Sequence, residues 1–437
     1  MAIKKKLLQV SGAEQDDYWI AVIGGSEPVD RGFDVAADSS NNVIMTGIGR
    51  SDGAGVNDGL IVKYDPEGSV LWDRTLGGTS TDEFYRIAID SSDNIIATGR
   101  EASVDAGGYD MFIAKYNSSG TIQWQRRLGG TGNDYFYGVG VDSSDNIYAS
   151  GYTASAGAGG EDALIVKYNS SGTLQWQRTL GDSNTNRSWD LAVDSSDDII
   201  IGGVTGSVFS GLLAKYNSSG TLQWSRSIGG SGSENIYGIA VDSSDNIIFT
   251  GSTTSDGAGG TSFLVGKCNS SGVLQWKKTL GGTGTDNGYG VAVDSNDNII
   301  INGLTGSDGG GTFAWLIAKY NSSGTLQWQK NLSGTGSDFG RGVAVDAKNN
   351  VLVTGWVDLT VSATLSDWAV TAKLPTDGSG DGTYGDLTYE DAALTETTSS
   401  VTDAAVSLTD ASSSLTDAAL SLTDAAAVLT ETLYTVT

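Results

Sequence analysis

Seven residues recur on one beat along the 437-residue chain: Asp30, Asp82, Asp134, Asn186, Glu234, Asp286 and Asp338, six of them acidic. Three positions after each stand Phe33, Tyr85, Tyr137, Trp189, Tyr237, Tyr289 and Arg341. Carboxylates beside aromatic faces suit a cation site or a glycan site, where acids take amines and hydroxyls while rings stack on sugar. The same acids, turned into the protein, would bond nearby backbone and shape a chain crossing instead. The aromatics alternate with apolar residues on a period of two, as in Tyr289, Val291 and Val293, which favours packing between neighbouring elements. Asp30, Asp82, Asp134, Glu234, Asp286 and Asp338 are the candidate ligand contacts. Calcium is the one cofactor that their chemistry admits.

Other chemistries are thinly equipped. The chain has no histidine, which removes Ser-His-Asp and Cys-His catalysis and most zinc sites. Carboxylate-pair chemistry remains, but no residue is assigned a catalytic role. The recurring word Asp-Ser-Ser-Asp-Asn lacks the alternating ligands and sharp-turn glycine of a calcium loop, and a hairpin turn accounts for it. The sequon-like Asn-Ser-Ser at Asn117, Asn169, Asn217, Asn269 and Asn321 also reads as a strand turn. The one cysteine, Cys268, stands where sister units have tyrosine; it excludes an internal disulfide framework. A net charge of −27 argues against nucleic-acid and anionic-membrane partners.

The elements that would carry these residues are short strands. Aligned on Val-Asp-Ser-Ser-Asp-Asn and its variants, the first acid falls at Asp38, Asp90, Asp142, Asp194, Asp242, Asp294 and Asp346. Trp19, Trp72, Trp124, Trp176, Trp224, Trp276 and Trp328 keep the same beat. Units of about 50 residues are blades or solenoid coils. Each holds four strand signals separated by Asn/Ser/Asp/Gly turns, the pattern of a propeller blade. The last unit, Gly342–Leu374, has only three strands and no tryptophan strand. Tyr18–Gly25 supplies one from the other end of the chain. The expected fold is all-β: a seven-bladed propeller over 18–374, closed by an N-terminal strand.

The words "GVAVDS" and "LIVKYNSSGTLQW" resemble the bacterial SBBP β-propeller repeat family and, more distantly, the NHL propellers. The resemblance extends through all seven units. It implies the propeller fold and a binding or scaffold role, often in secreted or surface proteins. It implies no activity.

Around the propeller we expect an N-terminal segment, 1–17, a linker, 375–386, and a tail, 387–437. "MAIKKKLLQV" has too short an apolar stretch for a signal peptide. The loop after the second strand varies most between units and is the expected recognition face, near Tyr109 and Trp356. In the tail, Leu387, Leu394, Val401, Leu408, Leu415, Leu422 and Leu429 recur every seven residues. Period seven fits helical heptads and suits a continuous strand badly, because an odd period changes face at every step. A coiled coil is therefore expected ahead of a β-fibre, with Leu408, Leu415, Leu422 and Leu429 at the seam of a dimer or trimer. The functional expectation is a non-enzymatic structural or binding protein: a phage virion appendage at the virion surface, contacting other virion proteins and a glycan. The alternatives are a bacterial surface or secreted adhesion propeller and a glycan-active enzyme on the loop face.

Overall fold

A computed structural model describes residues 2–6, 18–24, 29–50, 56–102, 108–206, 209–257, 260–308, 312–361, 364–384 and 387–400, and the tail segments 402–405, 409–412, 416–419, 423–425 and 431–434. The chain is a seven-bladed β-propeller; in the first six blades four antiparallel strands are joined in sequence order, and the seventh takes its fourth strand from the N-terminus. It divides into two compact units, one of residues 1–84, 292–394 and 422–437, the other of residues 85–291 and 395–421. Blade 3 shows the plan: Asp134–Val141, Ile147–Thr153, Asp162–Tyr168 and Leu174–Gly181. Its two middle strands are buried almost throughout, as expected of β-branched and aromatic strands covered on both faces.

The first hairpin of every blade is built on a buried ion pair. Asp90 accepts backbone N–H bonds from Ser92 and Asn94, both at 2.9 Å. Asp93 then takes a φ of 59°, a left-handed turn that Asp and Asn tolerate. Lys115, on the third strand, puts its Nζ 2.7 Å from the Asp90 carboxylate. The same pair recurs as Lys63–Asp38, Lys167–Asp142, Lys215–Asp194, Lys267–Asp242, Lys319–Asp294 and Lys373–Asp346, at 2.6–3.7 Å. Burial alone would raise the Asp90 carboxyl; Lys115 and the Asn94 and Ser92 donors outweigh it and hold it below its ordinary value.

The word Asn-Ser-Ser-Gly forms the joint between blades. Asn117 Oδ1 accepts from Ser119 N and Thr121 N at 3.1 and 2.8 Å, which holds the side-chain oxygen inside the turn. Trp124 donates its indole Nε1 to the Ser170 carbonyl of the next blade at 3.2 Å, and Lys115 reaches the same oxygen at 3.3 Å. Trp176, Trp328 and Trp19 make the matching bonds to Ser218, Thr376 and Pro66. Gly172, at φ +77°, lies under the Trp124 ring, where a Cβ would come within 2.7 Å of it. Any other residue there would be strained in backbone and would push the indole away.

The N-terminal strand completes the seventh blade as expected. Trp19–Ile23 pairs antiparallel with the third strand of that blade, from Trp19 opposite Lys373 to Ile23 opposite Ala369. The stretch expected as a linker has structure of its own. Its Thr376 carbonyl takes the Trp328 indole N–H and its Gly378, at φ +73°, lies under the Trp328 ring. Gly382–Tyr384 forms a short strand paired with Leu387–Tyr389.

The described segments of the tail are short strands; those between Leu387 and Ala425 are added to the edge of a blade's fourth strand, and Glu431–Tyr434 pairs parallel with Ala2–Lys6. Leu387–Asp391 joins blade 6. In the second unit Thr395–Thr398, Thr402–Ala405, Thr409–Ser412 and Thr416–Ala419 join blades 5, 4, 3 and 2. Thr423–Ala425 joins blade 1. Thr395, Thr402, Thr409, Thr416 and Thr423 lie opposite Gly281, Gly229, Gly181, Gly129 and Gly77. The seven-residue beat is thus the length of chain from one blade edge to the next. The objection to an odd period holds for one continuous strand and not for a series of short ones. Leu408, Leu415, Leu422 and Leu429 lie outside the described residues.

Lys115→Met should leave Asp90 buried without its cation and cost about 3–5 kcal/mol, read as a lowered midpoint in urea unfolding. In the wild type the Asp90 contribution is present above the unfolded value of 3.8 and disappears as pH falls through the lower folded value. The difference between the two proteins should therefore narrow below pH 3.8.

Candidate functional site

The recurring acids are turned into the protein. Asp30, Asp82, Asp134, Asn186, Glu234, Asp286 and Asp338 are each at most 1% exposed. Asp134 accepts from Gly130 N at 2.9 Å and Ser155 Oγ at 2.7 Å, and also from Thr153 Oγ1. Glu234 accepts from Gly230 N at 2.9 Å and Thr253 Oγ1 at 3.0 Å, and also from Ser255 Oγ. Asp82, Asp286 and Asp338 each take the N–H of the glycine four residues earlier, and Asp30 takes Arg50 N. Of the two expected roles, the geometry matches the second: these carboxylates shape the crossing. Among the described residues no group of three or more Asp, Glu or Cys is arranged to hold a metal ion. No described helix is long and apolar enough to cross a membrane.

The aromatic residues that follow them are placed differently. The first strand of blades 3, 4 and 5 slips register between Phe136 and Gly138, Ser188 and Asp190, and Ile236 and Gly238. Each slip is a bulge at the aromatic position, a device that re-aims a side chain. In the second unit the rings form a row. Tyr85 stacks on Tyr137 at 4.8 Å between centroids, Tyr137 meets Trp189 edge-on at 4.9 Å, Trp189 lies 6.3 Å from Tyr237, and Tyr237 lies 5.3 Å from Tyr289. All five are half-buried, so each keeps some surface for a partner. Tyr152 and Tyr135 extend the cluster beside Tyr137, and the Arg187 guanidinium lies 4.9 Å from the Tyr152 ring.

The residue after each aromatic was missed by spacing alone. It is glycine in four units: Gly138, Gly238, Gly290 and Gly342. At Gly138 a Cβ would come within 2.7 Å of Leu191 N, so adjacent first strands leave no room there. Asp34, Arg86 and Asp190 stand there in the other three units, and the last two pair with each other. The Arg86 Nε lies 3.4 Å from Asp190 Oδ1, Arg86 Nη2 donates to the Tyr237 carbonyl at 3.3 Å, and Asp190 Oδ2 accepts Ile239 N at 3.0 Å. Burial pushes the Asp190 carboxyl up, against the pull of Arg86. An ion pair thus stands beside the row. The readable signal was the loss of glycine at a position where four units carry it.

Asp338 breaks the repeat in another way. Nineteen residues after the acid stand Thr153, Thr205, Thr253 and Thr305 in four units; blades 1 and 2 have Gly49 and Glu101 there, and blade 7 has Val357. Asp338 therefore has only the backbone N–H groups of Gly334 and Asp358, at 2.7 and 3.1 Å. Burial pushes its carboxyl up to about 7, those two donors opposing and Asp358 adding repulsion. It lines a cleft of about 260 Å³ in the first unit with Asp308, Asn331 and Glu390.

The fold and its repeated joints define a β-propeller built from tandem four-stranded repeats. The SBBP family model, described as "Beta-propeller repeat", matches residues 123–157. The chain is 25% identical over 455 residues to "Uncharacterized WD repeat-containing protein L264" of Acanthamoeba polyphaga mimivirus, covering 79% of this chain and 31% of that protein. It is 24% identical over 171 residues to "Regulatory protein FlaEY" of Caulobacter vibrioides, covering 33% of this chain and 18% of that one. The chain thus spans less than a third of the length of either relative. Among solved structures it is similar to a virginiamycin B lyase from Staphylococcus aureus, with a TM-score of 0.49 and 11% identity over 82% of this chain and 99% of that one.

The Asp338 carboxyl should titrate with a midpoint near 7. Carbon-13 NMR of the labelled carboxyls checks it, and a midpoint in the ordinary aspartate range would contradict the desolvation account.

Proposed function

We propose that the protein is a non-enzymatic recognition propeller that takes a glycan on the row Tyr85–Tyr137–Trp189–Tyr237–Tyr289, and that it serves as an attachment appendage of a virus particle. The observation that carries the recognition reading is the row itself. Rings brought to successive strands by bulges, each half-buried, make a platform on which sugar rings can stack. The Arg86–Asp190 pair beside it supplies a donor and an acceptor for hydroxyl groups, the few placed polar groups that give a largely apolar site its orientation. The absence of histidine and of an assigned catalytic group supports binding over turnover. The virus-encoded relative and the acidic, glycine-rich blades support the particle setting.

Trp189→Ala should remove one stacking face from the middle of the row. On a glycan array the wild type should bind a discrete set of sugars, and Trp189→Ala should weaken that binding by about tenfold or more at an unchanged unfolding midpoint. A wild type that binds no sugar, or a variant that binds equally well, would remove the row from the function. Mass spectrometry of purified particles of the source virus should find the chain; its absence would leave recognition without the virion setting.

A further inference from the structure

The cleft beside Asp338 departs from the repeat at several positions together. On the fourth strand its wall carries Asn331, where sister blades have Thr75, Thr179, Thr279 and Ser227. Asp308 comes from the variable loop, and Glu390 from the tail strand, whose backbone lies opposite Asn331. The Asn331 Nδ2 donates to Asp308 Oδ2 at 3.0 Å, which also accepts Ala393 N at 2.8 Å. With the Nδ2 so used, the Asn331 Oδ1 is buried and has no hydrogen-bond partner among the described residues. Asn331 itself is 4% exposed. A buried acceptor without a donor costs free energy until something supplies one.

The remaining lining groups have the same polarity. Asp308, Asp338 and Glu390 present carboxyl oxygens, and the described lining contains no lysine or arginine. Blade 2 shows what the same place in the repeat looks like when a cation is built in. There Arg127 replaces the threonine, and its Nε lies 3.1 Å from Asp110 and 3.8 Å from Glu101. In blade 6 the described lining of the cleft has acids and an amide acceptor on the strand, and no lysine or arginine.

We propose that this cleft is a binding site for a primary ammonium group, with Asn331 Oδ1 and the carboxylates of Asp308 and Glu390 accepting its three N–H donors. An ammonium has three donors and no acceptor, which matches a wall of acceptors. The volume of about 260 Å³ lies below that of drug-sized pockets; it admits the end of a lysine side chain or one amino sugar and little more. The net charge of −27 would raise the local concentration of such cations. This site uses residues of the other unit and goes beyond recognition by the aromatic row.

The test is calorimetric titration of the full chain with glucosamine, Nα-acetyl-lysine amide and N-acetylglucosamine. Glucosamine or the lysine amide should bind, and N-acetylglucosamine, which lacks the charge, should not bind. Which of the two binds tells a glycan source from a protein source. Asn331→Thr restores the residue of the sister blades and should fold; it should weaken the binding by about tenfold or more, and Glu390→Gln should weaken it less. Trp189→Ala should leave it unchanged, so failure of the glycan row and failure of this cleft are separable. The proposal is overturned if no ammonium probe binds, if Asn331→Thr binds as the wild type does, or if calcium chloride binds in the cleft and the ammonium probes do not.

Discussion

Each blade turns on a charge buried beside another charge. An aspartate in a tight hairpin and a lysine two strands away lose most of their water together. A pair of this kind roughly breaks even in free energy against apolar residues of the same size. Its value here lies in where it points. Asp90 accepts the turn's own N–H groups and so sets the hairpin. Lys115, held by Asp90, carries its remaining protons to Ser170 in the next blade, where the Trp124 indole arrives as well. One carbonyl thereby fixes a strand, a turn and a neighbour. Ser91 adds a second tie on the hairpin side, donating to the Asp145 carboxylate at 2.9 and 2.7 Å. The apolar strands supply the stability; the ion pair sets register and the angle at which the next blade joins.

That joint leaves the first strand of each blade as the place where the scaffold is least forgiving and most useful. Adjacent first strands come so close at Gly138 and Gly238 that a Cβ there would meet the neighbouring backbone, and the bulge is what frees the preceding side chain from the pleat. The aromatic row is therefore a product of the packing constraint rather than an addition to it. The bulge recurs in blades 1, 3, 4, 5 and 7, and only the residue chosen at that position decides whether the result is a platform. Arg341 at the corresponding position of blade 7 shows that the constraint accepts other side chains.

Much of this could be read from residues alone. The beat of Asp and Trp, the three-stranded last unit and the spare strand at Trp19 led directly to a propeller completed from its own N-terminus. Turn words also translated well, because Asn, Asp and Gly have few backbone conformations to choose between at a positive φ. Two things did not translate. Spacing places Asp134 at a crossing but cannot say that its oxygens turn inward to Gly130, Thr153 and Ser155; direction depends on a bulge and on partners twenty residues away. Nor does spacing alone show that Thr395, Thr402 and Thr409, seven residues apart, lie opposite Gly281, Gly229 and Gly181 on three different blades, because those partners are more than a hundred residues away in sequence.

A sevenfold repeat also serves as its own control experiment. Where all copies agree, the residue answers to the joint; where one copy differs and the joint persists, the difference needs a separate cause. Blade 4 replaces the crossing acid with Asn186, and Thr205 still donates to it at 2.6 Å, so that copy avoids a buried charge at no cost in bonding. Blade 7 does the opposite: it keeps the carboxyl and exchanges the hydroxyl donor for Val357. A buried carboxyl with fewer donors is the more expensive arrangement, and the rise of Asp338 to about 7 records that expense. Blades 1 and 2 also keep the acid without the threonine, with Gly49 and Glu101 in its place, so that exchange alone marks no site; what sets Asp338 apart is that it shares its cleft with Asn331, which stands in place of a threonine, and with Glu390 from the tail.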